Sequence, residues 1–287
     1  MGLAGPALEA ESRRLRLEGL PREDLYWDIF TMIRVDNLSK HYGKLAAVDS
    51  LSLEVPKGQI FGFLGPNGAG KTTTIRVMMG ILRATSGHVL LGGYNVEREA
   101  REAKAISGFI PDRPFIYEKL SGHEFLQFVG RLHHVSPELL QRRIGELLER
   151  LELTRWQDEL VEGYSHGMKQ RLVVCAALIH EPKILIVDEP MVGMDPRGAR
   201  TLKDLFRSLA EAGATVFLST HSIGVAEEVC HRIGIIQHGR LIACGTMAQL
   251  HAQARNKHSN LESVFLELTQ EQMIDETSSE SDSTLRA

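Results

Sequence analysis

Apolar positions along this chain follow two alternating rhythms. Short dense runs at 33–35, 48–55, 60–64, 88–91, 106–110, 184–187, 215–218, 233–237 and 241–244 predict strands. Between them, apolar residues three or four apart predict helices near 75–79 and over 124–134, 137–151, 168–179, 197–211 and 261–268. The clearest stripe is Leu139, Leu140, Ile144, Leu147, Leu148 and Leu151. Turn residues punctuate the pattern: HYGK at 41–44 joins the first two strands, Gly80 ends a helix, and HGR at 238–240 turns the last strand pair. Strands alternating with helices imply an α/β fold with a mainly parallel sheet and crossover helices. The helical stretch from about 112 to 180 interrupts that alternation and reads as a subdomain.

Residues 1–30 are charged and irregular, with a short helical pattern at 8–17, and read as an appendage, Met32 being an alternative start. The main domain is expected over 31–250. Residues 251–287 carry a last helix and an acidic, Ser- and Thr-rich tail whose composition implies disorder. With 43% apolar residues among 287, the chain can bury a substantial core. A net charge of −4 gives no broad basic field, so no direct binding of nucleic acid is expected. Cys175, Cys230 and Cys244 have no metal-ligand spacing and read as reduced core thiols of a cytosolic protein. The longest apolar run, 172–179, is too short to span a bilayer, and the N-terminus has no apolar signal core. Service to a membrane therefore requires a partner.

The chemistry concentrates at Gly65, Pro66, Asn67, Gly68, Ala69, Gly70, Lys71, Thr72 and Thr73, which follow a predicted strand and open a helix. That is the context of a phosphate-binding loop: backbone N–H groups curl inward and the helix N-terminus adds positive charge. Lys71 would reach the terminal phosphates and the Thr72 hydroxyl would ligate a bridging Mg²⁺. Four aliphatic residues run straight into Asp188 and Glu189, so a buried strand ends by presenting charge. With a phosphate loop in the same chain, a metal-organising Asp188 is the better reading than a strand merely meeting solvent. Tyr42 alone reads either as a base-stacking platform or as a loop tyrosine with its hydroxyl in water, and His221 alone as a surface histidine.

The order of these features resembles the ATP-binding cassette (ABC) family over residues 32–248: aromatic, phosphate loop, Ser-x-Gly before a helix, aliphatics then Asp-Glu, the Gly-Met-Asp-Pro of 193–196, and a lone His. The resemblance implies a P-loop NTPase (RecA-like) core with an antiparallel β portion and a helical signature-motif subdomain. It implies that Tyr42 stacks on adenine, Asp188 supports Mg²⁺, Glu189 is the general base and His221 contacts the γ-phosphate. Ser165 and Gly167 match the signature segment, here YSHGM, which in the family faces ATP held by another protomer. ATP and Mg²⁺ are thus the implied cofactors, and a homodimer or a paired ABC ATPase the implied assembly.

Three departures stand out. His166 replaces a glycine and Met168 a glutamine of the signature, and Asp112, the larger departure, occupies the place of the family's usual glutamine near the metal. The surrounding text is similar to the bacterial subgroup, often exporters, in which a stand-alone ATPase serves a separately encoded transmembrane permease. The implied location is cytoplasmic, peripheral on the inner face of the cell membrane. The competing expectation is a soluble ABC-type ATPase acting on nucleic acid or ribosomes, though this chain has one cassette and no sustained heptads.

Overall fold

The computed structural model describes residues 30–113, 115–253 and 261–267. In chain order the strands are β1 (Thr31–Tyr42), β2 (Leu45–Pro56), β3 (Ile60–Leu64), β4 (Ser86–Leu91), β5 (Tyr94–Asn95), β6 (Ser107–Ile110), β7 (Ile184–Asp188), β8 (Thr215–Thr220), β9 (Arg232–Gln237) and β10 (Arg240–Gly245). The helices are α1 (Lys71–Met78), α2 (Ala100–Ala105), α3 (Gly122–Leu132), α4 (Pro137–Arg150), α5 (His166–Leu178), α6 (Pro196–Glu211), α7 (Ile223–Val229) and α8 (Met247–Gln253), with residues 261–267 also helical. The helical pattern at 8–17 and the acidic tail lie outside the described residues.

Six strands form one sheet in the order β10-β9-β3-β8-β7-β6, parallel throughout except for the β9–β10 hairpin. All residues of β3, β7 and β8 are buried, as central strands covered on both faces should be. On one face Phe61, Phe63 and Phe217 pack together, with Phe61 and Phe217 stacked at 5.5 Å. On the other, Leu185, Val187, Val216 and Leu218 meet the helical layer of α3 to α6. The smaller sheet, β2-β1-β4-β5, is antiparallel and closes over the first face.

Parallel pairing fixes the functional geometry. Leu64 pairs with Thr220, Ser219 with Asp188, and Val187 with Ile110. The segments beginning at Gly65, Glu189, His221 and Pro111 therefore leave the sheet side by side along one edge, where ligands of open α/β sheets bind.

Several elements differ from the pattern-based reading. Strand β1 continues past Val35 to Tyr42, through bulges around Leu38 and with Asn37 in the left-handed region. His41 and Tyr42 thus lie in the strand, not in the joining turn. Ser219 and Thr220 likewise finish β8 instead of forming a loop. Helix α5 starts two residues earlier than periodicity suggested, because Ser165 caps it by accepting from Met168 N at 3.3 Å.

Candidate active site

The phosphate loop leaves β3 at Leu64 and is tied at once to the next strand by Gly65 N–H donating to Thr220 O at 3.3 Å. It enters α1 through Gly70, whose φ of 104° only glycine adopts readily. Gly70 offers no side-chain cap, and the first turn of α1 has no acidic residue. Nothing within the helix satisfies its first N–H groups, so the terminus is built for an anion. Pro66, Asn67 and Gly68 are exposed, Ala69 is buried, and Thr72 and Thr73 are half-buried.

Lys71 is 6% exposed, and its ammonium donates to Gly65 O at 2.7 Å and Pro66 O at 3.1 Å. Its Nζ also lies 3.4 Å from Glu189 Oε1, while Glu189 Oε2 meets His221 Nδ1 at 3.0 Å. Glu189 Oε1 is buried and has no hydrogen-bond partner; at 3.4 Å the ammonium is an ion-pair contact, long for a hydrogen bond. Glu189 is itself in the left-handed region, at φ 47°, the kind of backbone strain that concentrates at functional sites. His221, half-exposed, stands just beyond the end of β8.

Asp188, at the buried tip of β7, accepts a short hydrogen bond from Ser219 Oγ and another from Thr72. Burial pushes its carboxyl above the usual carboxylate range, and the negative charges of Asp112 and Glu189 push the same way against those two hydrogen bonds. Asp112 is exposed just beyond β6, close enough for its charge to act on Asp188. Ser219 was not singled out by sequence reasoning. Its signal was positional: it is the residue that parallel pairing sets opposite the aspartate.

Tyr42 ends β1, 47% exposed, with the Lys40 ammonium 5.2 Å from its ring centroid. Ser165 and Gly167 open α5, whose first turn also lacks an acidic residue. Among the described residues no contact links them to Lys71, Asp188 or Glu189. The imidazole of His166 instead lies over Gly193, where a Cβ would come within 3.1 Å of the ring. One chain therefore brings together Lys71, Thr72, Asp112, Asp188, Glu189 and His221, and leaves the signature segment apart.

A family model described as ABC transporter matches residues 48–192, which include the phosphate loop, the signature segment and the Asp188-Glu189 pair. The chain is 39% identical over 219 residues to the linearmycin resistance ATP-binding protein of Bacillus subtilis, spanning 76% of this chain and 70% of that one. It is 41% identical over 223 residues to a daunorubicin resistance ATP-binding protein of Streptomyces coeruleorubidus, spanning 78% and 71%. The chain belongs to the ABC transporter family, as an ATPase subunit.

A Nod factor export ATP-binding protein of Paraburkholderia xenovorans is a further ABC relative, 39% identical over 220 residues, 77% of this chain and 72% of that one. Among solved structures, an ATP-binding subunit of an ABC transporter superposes with a TM-score of 0.79 at 30% identity, covering 83% of this chain and 100% of that one. A second, described as a dimeric post-hydrolysis ATP-binding cassette bound to ADP and Pi, gives 0.70 at 23% identity over 75% and 98%, and speaks to the fold alone. This ABC protein binds and hydrolyses ATP. No helix among its described residues is long and apolar enough to cross a membrane.

Proposed function

We propose that two copies of this cassette, or this one and a paired ABC ATPase, close around ATP and so drive a separately encoded membrane permease. In this reading residues 31–250 are the ATP-binding domain, with 112–180 as its helical part. The inward N–H groups of 65–73 and the Lys71 ammonium hold the phosphates, Tyr42 stacks on the adenine, and Ser165 and Gly167 approach the γ-phosphate of the other copy. Glu189 orients the attacking water and accepts its proton as water oxygen bonds to the γ-phosphorus and the bond to the ADP oxygen breaks. His221 steadies Glu189 and contacts the γ-phosphate. The observation that carries this reading is the Glu189 carboxylate set between Lys71 and His221, its buried Oε1 accepting no hydrogen bond, beside an uncapped helix N-terminus.

The donors also fit Mg²⁺. They are hard oxygens only, the Thr72 hydroxyl and one buried Asp188 carboxylate, whose raised pKa is relieved by a neighbouring cation. Among the described residues no cluster of three or more His, Cys, Asp or Glu side chains could cage a metal. That suits an ion that takes its remaining ligands from phosphates and water. Bound there, Mg²⁺ would neutralise charge on the β- and γ-phosphates, with Asp112 contributing through water.

Coupling to a permease is supported by exposed aromatic rings beyond β6, namely Phe115 (82% exposed), Tyr117 (50%) and Phe128 (41%), which stack edge to face. The relatives named for drug resistance and Nod factor export support outward movement of a small molecule, from a peripheral station on the cytoplasmic face. Nothing in those names favours nucleic acid or ribosomes as the partner. Coexpression with a multi-span membrane protein encoded beside this chain tests the reading. Copurification and cargo-stimulated ATPase activity are expected; ATPase activity stimulated by RNA or ribosomes and not by the membrane protein would overturn it.

A further inference from the structure

Three stretches of backbone meet behind the phosphate loop: 47–49 of β2, 69–70 of the loop itself, and the 238–239 turn between β9 and β10. Gly239 uses both of its polar groups in this junction. Its N–H donates to Ala69 O at 3.0 Å, and its carbonyl accepts from Asp49 N–H at 2.9 Å. Glycine is required on both sides, since a Cβ on Gly239 would come within 3.0 Å of Ala47 O and one on Gly70 would strike that same carbonyl. His238 and Gly239 are both left-handed, at φ 47° and 79°, the type I′ shape of a two-residue turn, closed by the pairing of Gln237 with Arg240. A neighbouring ion pair ties this turn to β2. Arg240 directs Nε and Nη2 at Asp49 Oδ2, at 2.8 and 2.7 Å, while Ser50 Oγ donates to Oδ1 at 3.0 Å.

The consequence for the loop follows from peptide planarity. In a trans peptide the C=O and the following N–H point in opposite directions. Fixing Ala69 O toward the hairpin turn therefore aims Gly70 N–H away from it, toward the side where an anion is held. We infer that Asp49 and Arg240 are positioning residues for ATP: their ion pair ties the 238–239 turn to β2, and the turn sets the direction of a phosphate-binding N–H. This inference rests on the reading of residues 65–73 as the ATP phosphate site. Neither side chain belongs to the hydrolytic cluster, which occupies the other side of the loop.

The test uses full-length protein, with ATP affinity measured by titration calorimetry and KM and kcat measured at steady state. Arg240 is 64% exposed, so solvent screens the pair and the effect is graded. Arg240→Ala and Asp49→Asn are expected to raise Kd and KM for ATP by about five-fold, with kcat within about two-fold of wild type. Arg240→Lys, which keeps the charge with fewer donors, should fall between. Exchanging the partners, Asp49→Arg with Arg240→Asp, should recover most of the affinity. A merely structural latch would lower the unfolding temperature and leave KM alone, and an unchanged KM in folded Arg240→Ala or Asp49→Asn overturns the inference. Failure of wild type to bind ATP would instead overturn the underlying site, and would be seen before any variant is made.

Discussion

His221 Nδ1 lies 3.0 Å from Glu189 Oε2, a contact made between two residues that leave adjacent parallel strands. Because the imidazole orients the carboxylate, the two act as one unit and their effects should not add. His221→Ala is expected to lower kcat by about a hundredfold while ATP still binds. Adding Glu189→Gln should bring kcat no lower than Glu189→Gln alone. Steady-state ATPase rates of the two single variants and the double variant decide this; losses that multiply would mean that the contact has no part in hydrolysis.

Lys71 has work in the protein even without nucleotide. Its buried ammonium satisfies two loop carbonyls and pairs with Glu189. Lys71→Ala should therefore abolish ATPase activity and also cost about 1–3 kcal/mol of folding stability, because Gly65 O and the Glu189 carboxylate lose the ammonium. Denaturant unfolding with and without ATP tests both halves: stability falls, and ATP no longer raises it.

Asp188 behaves in the opposite way. A carboxyl whose folded pKa lies above its unfolded value contributes stability that is fully present below the unfolded pKa and is lost as pH rises through the folded one. At pH 7 the charged Asp188 is thus a burden on the fold that a cation relieves. Asp188→Asn should unfold at a higher temperature than wild type at pH 7, with the gap closing toward acid pH, while ATPase activity falls about a hundredfold or more. Melting curves across pH test the claim, and a variant less stable at pH 7 would contradict it.

Asp112 is the departure from the family pattern with a direct electrostatic consequence, since its charge reaches Asp188. Asp112→Gln removes that charge from beside the Asp188 carboxylate. The Mg²⁺ concentration for half-maximal ATPase activity should rise about three-fold, as suits an interaction screened by solvent. A Mg²⁺ titration that does not shift would leave Asp112 facing outward, toward the permease.

The strands that carry the site were legible because β3, β7 and β8 each hold a dense apolar run that gives way abruptly to glycine or to polar residues. What the sequence could not supply was distance. Motif and family resemblance name Lys71, Asp188, Glu189 and His221 but cannot tell that one carboxylate touches both the ammonium and the imidazole, because that depends on strand order and register. Short elements were also hidden. Helix α2 buries only Ala103 and α7 has seven residues, too few turns for a 3.6-residue period to register. The polar residues Asp36, Asn37, Ser39 and Lys40 broke the apolar alternation of β1, where bulges keep the strand running. The place of the His166 ring was likewise spatial information: it lies over Gly193, a residue with no side chain to obstruct it.

If Glu189 activates water in a site completed by a second cassette, Glu189→Gln should separate binding from hydrolysis. The substitution keeps the shape of the side chain and removes the proton acceptor, so ATP should bind with Mg²⁺ and remain uncleaved. Size-exclusion chromatography of this variant with ATP and Mg²⁺, with its bound nucleotide then identified, is the measurement. A dimer that retains two molecules of ATP and reverts to monomer when nucleotide is removed is the expected result. A Glu189→Gln protein that turns over ATP at the wild-type rate, or that holds uncleaved ATP as a monomer even alongside its permease, would contradict it.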